Sequence, residues 1–291
     1  LFIEEGPIVQ IKSAGRRKEV LYDRNKKIEW DGPLVIMVNS FSASASEILA
    51  AAIQDYKRGI IIGSKQTYGK GTVQNVIDLN QFVRSSSVGD LGALKTTTQK
   101  FYRINGGSTQ LEGVSSDVVM PDRYAYLKMG ERDMHNAMPW DKIDPAQYSV
   151  WNNSKNFSQA IANSKNRIAQ NQQFQLVEDN AKWIDSRSND YEYSLNIEKF
   201  KMAQKQIEEK AKKYKPLQNY KNSFSFKSLP YEMEAMSKDA TLKEKRERWH
   251  EQLAKDIYVE EALNVLEDLQ SKKVIKKPIT PKLKSNPLVK S

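Results

Sequence analysis

The chain of 291 residues contains no cysteine. That absence excludes a disulfide framework, a cysteine-based metal site and a thiol nucleophile. Histidine is nearly absent as well: His135 and His250 are the only two. They are too isolated for a histidine-rich metal site and read as surface or locally satisfied side chains. No stretch approaches the roughly 20 consecutive apolar residues of a membrane-spanning helix. Acidic residues are missing from the last segment, 271–291, which holds seven lysines. Of the formal net charge of +10, +7 therefore belongs to that tail, and the first 270 residues carry only +3. A basic face on the folded body is not indicated, so nucleic acid is not expected as a partner. The tail, with Pro278, Pro281 and Pro287, reads as a disordered solvating end; attraction to anionic lipid or another acidic surface is its alternative reading. The length allows two domains, each with its own core.

What is present is more specific. Pro33 to Asn39 is a short apolar run, consistent with a buried strand. It leads into Phe41-Ser42-Ala43-Ser44-Ala45-Ser46-Glu47-Ile48, and helical spacing then runs from Ser44 to Tyr56. Ser44 thus stands at a strand-to-helix junction, where first-turn N–H groups lack intrahelical partners. The N–H of Ala45 is placed to receive the oxygen of a tetrahedral intermediate. A second segment, Thr67-Tyr68-Gly69-Lys70-Gly71-Thr72-Val73-Gln74, sets a lysine between two glycines, where the backbone can turn tightly. A serine hydroxyl needs a base to become a nucleophile, and a lysine can be that base once burial or a like charge favours its neutral form. Ser44 and Lys70 together read as a serine–lysine dyad, a variant of the serine-histidine-aspartate arrangement. Taken alone, Ser44-x-x-Glu47 is also a capping box, and a lone lysine is usually a solvated one.

These segments, with Gln54-Asp55-Tyr56, Lys100 to Gln110, Met120-Pro121, Asn136 to Asp141 and Asp256 to Val259, resemble the tail-specific protease (Prc/Tsp), or C-terminal processing serine peptidase, family. The resemblance covers residues 1 to about 145 well, 146 to 270 loosely and 271 to 291 not at all. It implies that Ser44, the middle serine of the repeat rather than Ser42 or Ser46, is the nucleophile. It makes Lys70 the general base and Gln74 the residue that orients it. The loop from Gly63 to Gly69 is one residue longer than the family pattern, which places Lys70 twenty-six positions after Ser44; loops absorb such insertions. Asp55 would have a charge-relay role by resemblance. Eleven residues of helix, however, put it roughly 16 Å from Ser44, beyond any hydrogen bond. Asp55 is therefore expected only to support the far end of the helix, against Arg58 or the following strand.

The implied fold is a partial α/β core of the ClpP/crotonase-like ββα type over residues 1–145. A mostly α-helical C-terminal domain over 146–270 and a disordered basic tail over 271–291 follow it. In the core, Pro7–Lys12 and Glu19–Tyr22 suggest a hairpin, Ile60–Ile62 and Thr72–Leu79 suggest strands, and Asn105-Gly106-Gly107 is a hairpin turn. In the second part, Ser154–Ser186 offers two helices and Ser194–Tyr214 one. Thr241-x-x-Glu244 is a capping box, and Asp256 caps a last apolar helix.

The resemblance also implies upstream parts: a helical region, a PDZ domain that reads substrate tails, and the first part of the protease core, whose glycine-rich segment supplies a second oxyanion donor. Without them the chain alone is expected to be inactive. The implied activity is endoproteolysis of bacterial periplasmic or envelope proteins with apolar C-terminal tails, with no metal or organic cofactor. An adaptor protein or an oligomer is a further implied partner. Two rival readings are a non-catalytic helical adaptor attached to half an enzyme core and an acyl-thioester enzyme; the serine–lysine pair counts against the latter.

Overall fold

The computed structural model describes residues 1–83, 89–152, 156–188 and 190–270; the lysine-rich tail lies outside the described residues. Strands β1 (Gly6–Ser13) and β2 (Glu19–Asp23) form the expected antiparallel hairpin. β3 (Val35–Val38), α1 (Ala45–Asp55) and β4 (Ile60–Gly63) follow, then β5 (Thr72–Asp78), β6 (Ala93–Tyr102) and β7 (Val118–Val119). Seven α-helices are described in all, the last six being α2 (Phe157–Gln170), α3 (Gln172–Ser188), α4 (Ile197–Lys212), α5 (Pro230–Lys238), α6 (Ala240–Leu253) and α7 (Ile257–Gln270).

The strands make two sheets. One is antiparallel in the order β2-β1-β6-β5, and the other is a parallel trio in the order β3-β4-β7. β4 is the centre of the trio, and Ile60, Ile61 and Ile62 are all fully buried. A strand covered on both faces needs a continuous apolar run rather than an alternating one. Successive side chains point to opposite faces. Ile61 enters the core under α1 with Ala50, Ala51, Ile53 and Val114. Ile60 and Ile62 enter a second core with Val118, Met120, Ala160, Phe174, Ile257 and Val265. At about 1.5–3 kcal/mol for each large aliphatic side chain removed from water, β4 fastens both layers. The helical region is thus not a separate body: α2, α3 and α7 cover one face of the sheet whose other face carries α1.

Three local expectations are corrected. Asp55 does not meet Arg58. Arg58 is buried and donates to the carbonyls of Phe2, Trp30 and Gly32, tying the N-terminal segment down. Thr241 is inside α6; the cap is Asp239, whose carboxylate accepts from the Leu242 N–H at 3.0 Å. The chain does reverse at Asn105-Gly106-Gly107, but it returns through a single bridge from Tyr102 to Ser108 rather than a second strand. Asp256 caps α7 as anticipated, accepting from the N–H groups of Tyr258 and Val259.

Candidate active site

Six residues separate the end of β3 from α1, whose alanine-rich stretch packs closely on Ile61. Ser44 is its N-cap, half-buried, with φ 55° and ψ −110°. A non-glycine residue held at positive φ is strained, and such strain persists only where surrounding contacts over-determine it. Only half of the capping box forms. The Ser44 N–H donates to the Glu47 carboxylate at 2.8 Å, whereas the Ser44 hydroxyl makes no cap bond. The helix end is therefore stabilised without using the serine oxygen. Among the described residues, no backbone acceptor meets the N–H of Ala45, the first helical residue.

The over-determining contact is Glu47, whose side chain is fully buried. Oε1 accepts from the Thr67 hydroxyl at 2.5 Å and the Gly69 N–H at 2.7 Å; Oε2 accepts from the Ser44 N–H at 2.8 Å and the Lys70 N–H at 3.0 Å. Two nitrogens sharing one acceptor oxygen at such lengths lie within about 6 Å of each other. The backbones of Ser44 and Lys70 are thus brought together by a single carboxylate. A further backbone bond, from the Tyr68 N–H to the Ser42 carbonyl at 3.0 Å, ties the two loops on the other side. Burial pushes the Glu47 carboxyl above the ordinary glutamate range, opposed by hydrogen bonds from Thr67, Gly69, Ser44 and Lys70.

The rest of the Lys70 peptide is fixed as well. Its carbonyl accepts from the Thr109 hydroxyl at 3.1 Å, and the next N–H, of Gly71, donates to the buried Gln110 side chain at 2.8 Å. Both flanking glycines are required by space. Gly69 has φ +94°, and a Cβ there would lie 2.7 Å from the Leu111 carbonyl oxygen; a Cβ on Gly71 would lie 2.6 Å from the Gln110 nitrogen. The Lys70 side chain itself is half-buried.

Gln74 lies on β5, after a bulge between Val73 and Gln74, opposite Thr97, with its side chain exposed. Among the described residues, no hydrogen bond joins its side chain to Lys70, and none joins the Ser44 hydroxyl to the Lys70 ammonium. Asp55 sits at the far end of α1 in a nearly buried pair with Arg103, at 3.1 Å to Nε and 2.5 Å to Nη2, with Asn105 donating at 2.9 Å. It anchors the helix to the turn after β6, and its partner is Arg103 rather than Arg58.

Sequence reasoning assigned Glu47 only to a cap, and it passed over Thr67, Thr109 and Gln110 as site residues. A carboxylate three residues after the serine was the one available signal for the clamp.

Comparison with known proteins gives the family. Residues 1–120 match the model of peptidase family S41, and residues 124–271 match the C-terminal domain of tail specific protease. The chain belongs to the tail-specific protease family. The tail-specific protease of Haemophilus influenzae is 44% identical over 200 residues, covering 67% of this chain and 28% of that protein. The carboxy-terminal-processing protease of Bartonella bacilliformis is 35% identical over 128 residues, covering 42% of this chain and 27% of that protein. A solved photosystem II D1 C-terminal processing protease is 32% identical and covers 41% of this chain and 28% of its own, with a TM-score of 0.35. The chain therefore spans about a quarter of the length of these relatives.

Proposed function

We propose that this chain carries the nucleophile and base of a serine endopeptidase that trims or degrades bacterial envelope proteins from accessible, apolar C-terminal tails. The observation that carries the reading is the Glu47 clamp, which holds the backbones of Ser44 and Lys70 on one carboxylate while leaving the serine hydroxyl uncommitted. Ser44 Oγ attacks the peptide carbonyl and Lys70 accepts the hydroxyl proton. The tetrahedral oxyanion takes a hydrogen bond from the Ala45 N–H, and Lys70 then returns the proton to the leaving amine. Water repeats the sequence on the acyl-enzyme. Gln74 orients Lys70 after its side chain turns back along β5. In this reading, residues 1–145 are the C-terminal part of the protease core and 146–270 a helical domain that covers its sheet. Among the described residues no helix is long and apolar enough to cross a membrane.

The test is proteolysis of an unfolded protein by the intact enzyme. Ser44→Ala and Lys70→Ala should each abolish cleavage, because nucleophile and base act as a unit. Ser42→Ala and Ser46→Ala should leave substantial activity. Undiminished cleavage by the Ser44→Ala protein would refute the dyad.

A further inference from the structure

The loop that carries Lys70 is irregular until β5 begins, yet from Thr67 to Gly71 every backbone group has a partner. The five N–H groups go to the Val114 and Ser42 carbonyls, twice to the Glu47 carboxylate, and to the Gln110 side chain. The carbonyls of Gly69, Lys70 and Gly71 accept from the Leu111 N–H, the Thr109 hydroxyl and the Phe101 N–H. The remaining two are met from much later in the chain. Arg132 Nη2 donates to the Thr67 carbonyl at 2.9 Å, and the Glu131 N–H donates to the Tyr68 carbonyl at 3.0 Å. A loop with all of its polar backbone engaged has its path fixed.

These last donors belong to the stretch matching the C-terminal domain, residues 124–271, and not to the peptidase core. Arg132 forks, its Nε donating to the Leu111 carbonyl at 2.9 Å. Leu111 is held at φ 65°, unusual for a bulky residue, and its N–H donates to the Gly69 carbonyl at 2.7 Å. One guanidinium thus pins the base loop and the loop bonded to it. Glu131 acts through Gln110. The buried Gln110 amide turns Oε1 to the Gly71 N–H because its nitrogen is claimed on the other side, by Glu131 Oε1 at 3.2 Å and the Met138 carbonyl at 3.1 Å. Turned over, the amide would set N–H against N–H at Gly71. The far end of the segment is fastened as well. Trp140 Nε1 donates to the Ser108 carbonyl at 2.9 Å, and Asp141 pairs with Lys100 at 2.6 Å.

We propose that residues 130–141 form a strap that sets the position of the general base, with Glu131 and Arg132 as positioning residues for Lys70. Each acts through the backbone that carries the lysine: Arg132 through Thr67 and Leu111, Glu131 through Gln110 and Gly71. The core thereby takes the placement of its base from the first segment of the C-terminal domain. That the strap serves catalysis rests on the serine–lysine reading; that it holds the loop does not.

The test uses the intact enzyme, at a temperature where every variant is folded by circular dichroism. Arg132→Ala and Glu131→Ala should each lower kcat on a peptide substrate by about tenfold to hundredfold with little change in KM, because the base acts in the chemical step. Rescue separates positioning from packing. Glu131→Gln keeps an oxygen that can accept from Gln110 and should recover most of the loss. Arg132→Lys keeps the charge but has no fork to reach Thr67 and Leu111 together, and should recover little. Wild-type kcat in both alanine variants, or full recovery by Arg132→Lys, overturns the strap as a positioning device. A second measurement needs no catalysis: amide hydrogen exchange over residues 67–71 in the Ser44→Ala protein. Arg132 is an exposed residue, so Arg132→Ala in that background leaves the core intact. It should speed exchange in this stretch by about tenfold or more while β4 exchanges as before. Unchanged exchange overturns the strap whether or not wild type cleaves. Faster exchange together with a wild type that cleaves nothing refutes the protease reading alone.

Discussion

Glu47 offers the sharpest test of how the site is held. Glu47→Ala removes the acceptor for four donors at once, on Thr67, Gly69, Ser44 and Lys70. A buried donor left without a partner costs about 1–3 kcal/mol. Even with one donor regained by water, the expected loss is about 4 kcal/mol or more, a large share of a stability of about 5–15 kcal/mol. Glu47→Gln should behave differently. Its carbonyl oxygen can stay at the Oε2 position and keep both Ser44 and Lys70, while its amide donates to the Thr67 hydroxyl; only the Gly69 N–H and the Thr67 proton lose their acceptor. The predicted cost is about 2 kcal/mol at neutral pH, partly offset by removing a buried charge. The pH dependence fixes the sign. Burial raises the Glu47 carboxyl in the folded state. Its contribution is therefore fully present below the unfolded glutamate value of about 4.3 and declines as pH rises through the higher folded value. The Gln variant has no such group, so its deficit relative to wild type should shrink between mildly acidic and neutral pH. Urea unfolding of wild type and both variants across that range measures all of this, with cleavage rates alongside. A Glu47→Ala protein with wild-type unfolding midpoint and wild-type turnover, or a Gln deficit that grows with pH, would refute the clamp.

Three further outcomes are expected. Asp55→Ala leaves Arg103 without the carboxylate of a nearly buried pair and should cost about 3–5 kcal/mol in denaturant unfolding, with residual activity tracking the folded fraction. Gly69→Ala must adopt a positive φ and press its Cβ on the Leu111 carbonyl; it should lower both the thermal midpoint and the rate, whereas Gly15→Ala, also at a positive φ but in open space in the β1–β2 turn, should lower the midpoint and leave the rate unchanged. Arg167 bridges Glu261 and Asp268 between α2 and α7 at 2.8 Å each. Arg167→Ala leaves the buried Glu261 with only the Ser164 hydroxyl and should destabilise by about 3 kcal/mol, read as loss of helical circular dichroism at lower urea.

Local patterns were legible in the sequence where local physics decides them. The apolar run at Ile60–Ile62, the alanine-rich helix after Ser44 and the lysine between two glycines each carry their meaning within a few residues. The helices at Phe157, Ile161, Ile168 and Phe174 show their apolar stripe in the same way. Glu47 was readable only as a cap, because its other donors come from residues 67–70, and no periodicity links a helix start to a loop some twenty residues later. Arg103 as the partner of Asp55 is farther still, 48 positions away. α5 was missed because its nine residues span only about two and a half turns, too few for an apolar period to show. The cap of α6 was misplaced because Thr241-x-x-Glu244 imitates a capping box two residues too far along, while Asp239 does the capping. That the helices cover the sheet could not be read at all: an all-isoleucine strand reveals burial on two faces but not what lies against either.

The isoleucine strand at the centre of the trio sets an order on the birth of the molecule. Ile62 and Val265 share one core, yet they are separated by about 200 residues of chain, and contacts so far apart make folding slow. During synthesis α1 can settle on its face of the sheet early. The opposite face is covered in part once α2 and α3 are made and closed only by α7; at about 5–20 residues per second the span from β4 to α7 takes on the order of ten seconds or more. Throughout that interval a strip of isoleucine and valine is available to chaperones, or to aggregation. We expect chains ended after residue 256 to bind a hydrophobic dye strongly and the intact chain to bind little; equal dye binding by both would show that the sheet is closed without its final helix. Synthesis of α7 would then be the event that closes this face of the sheet.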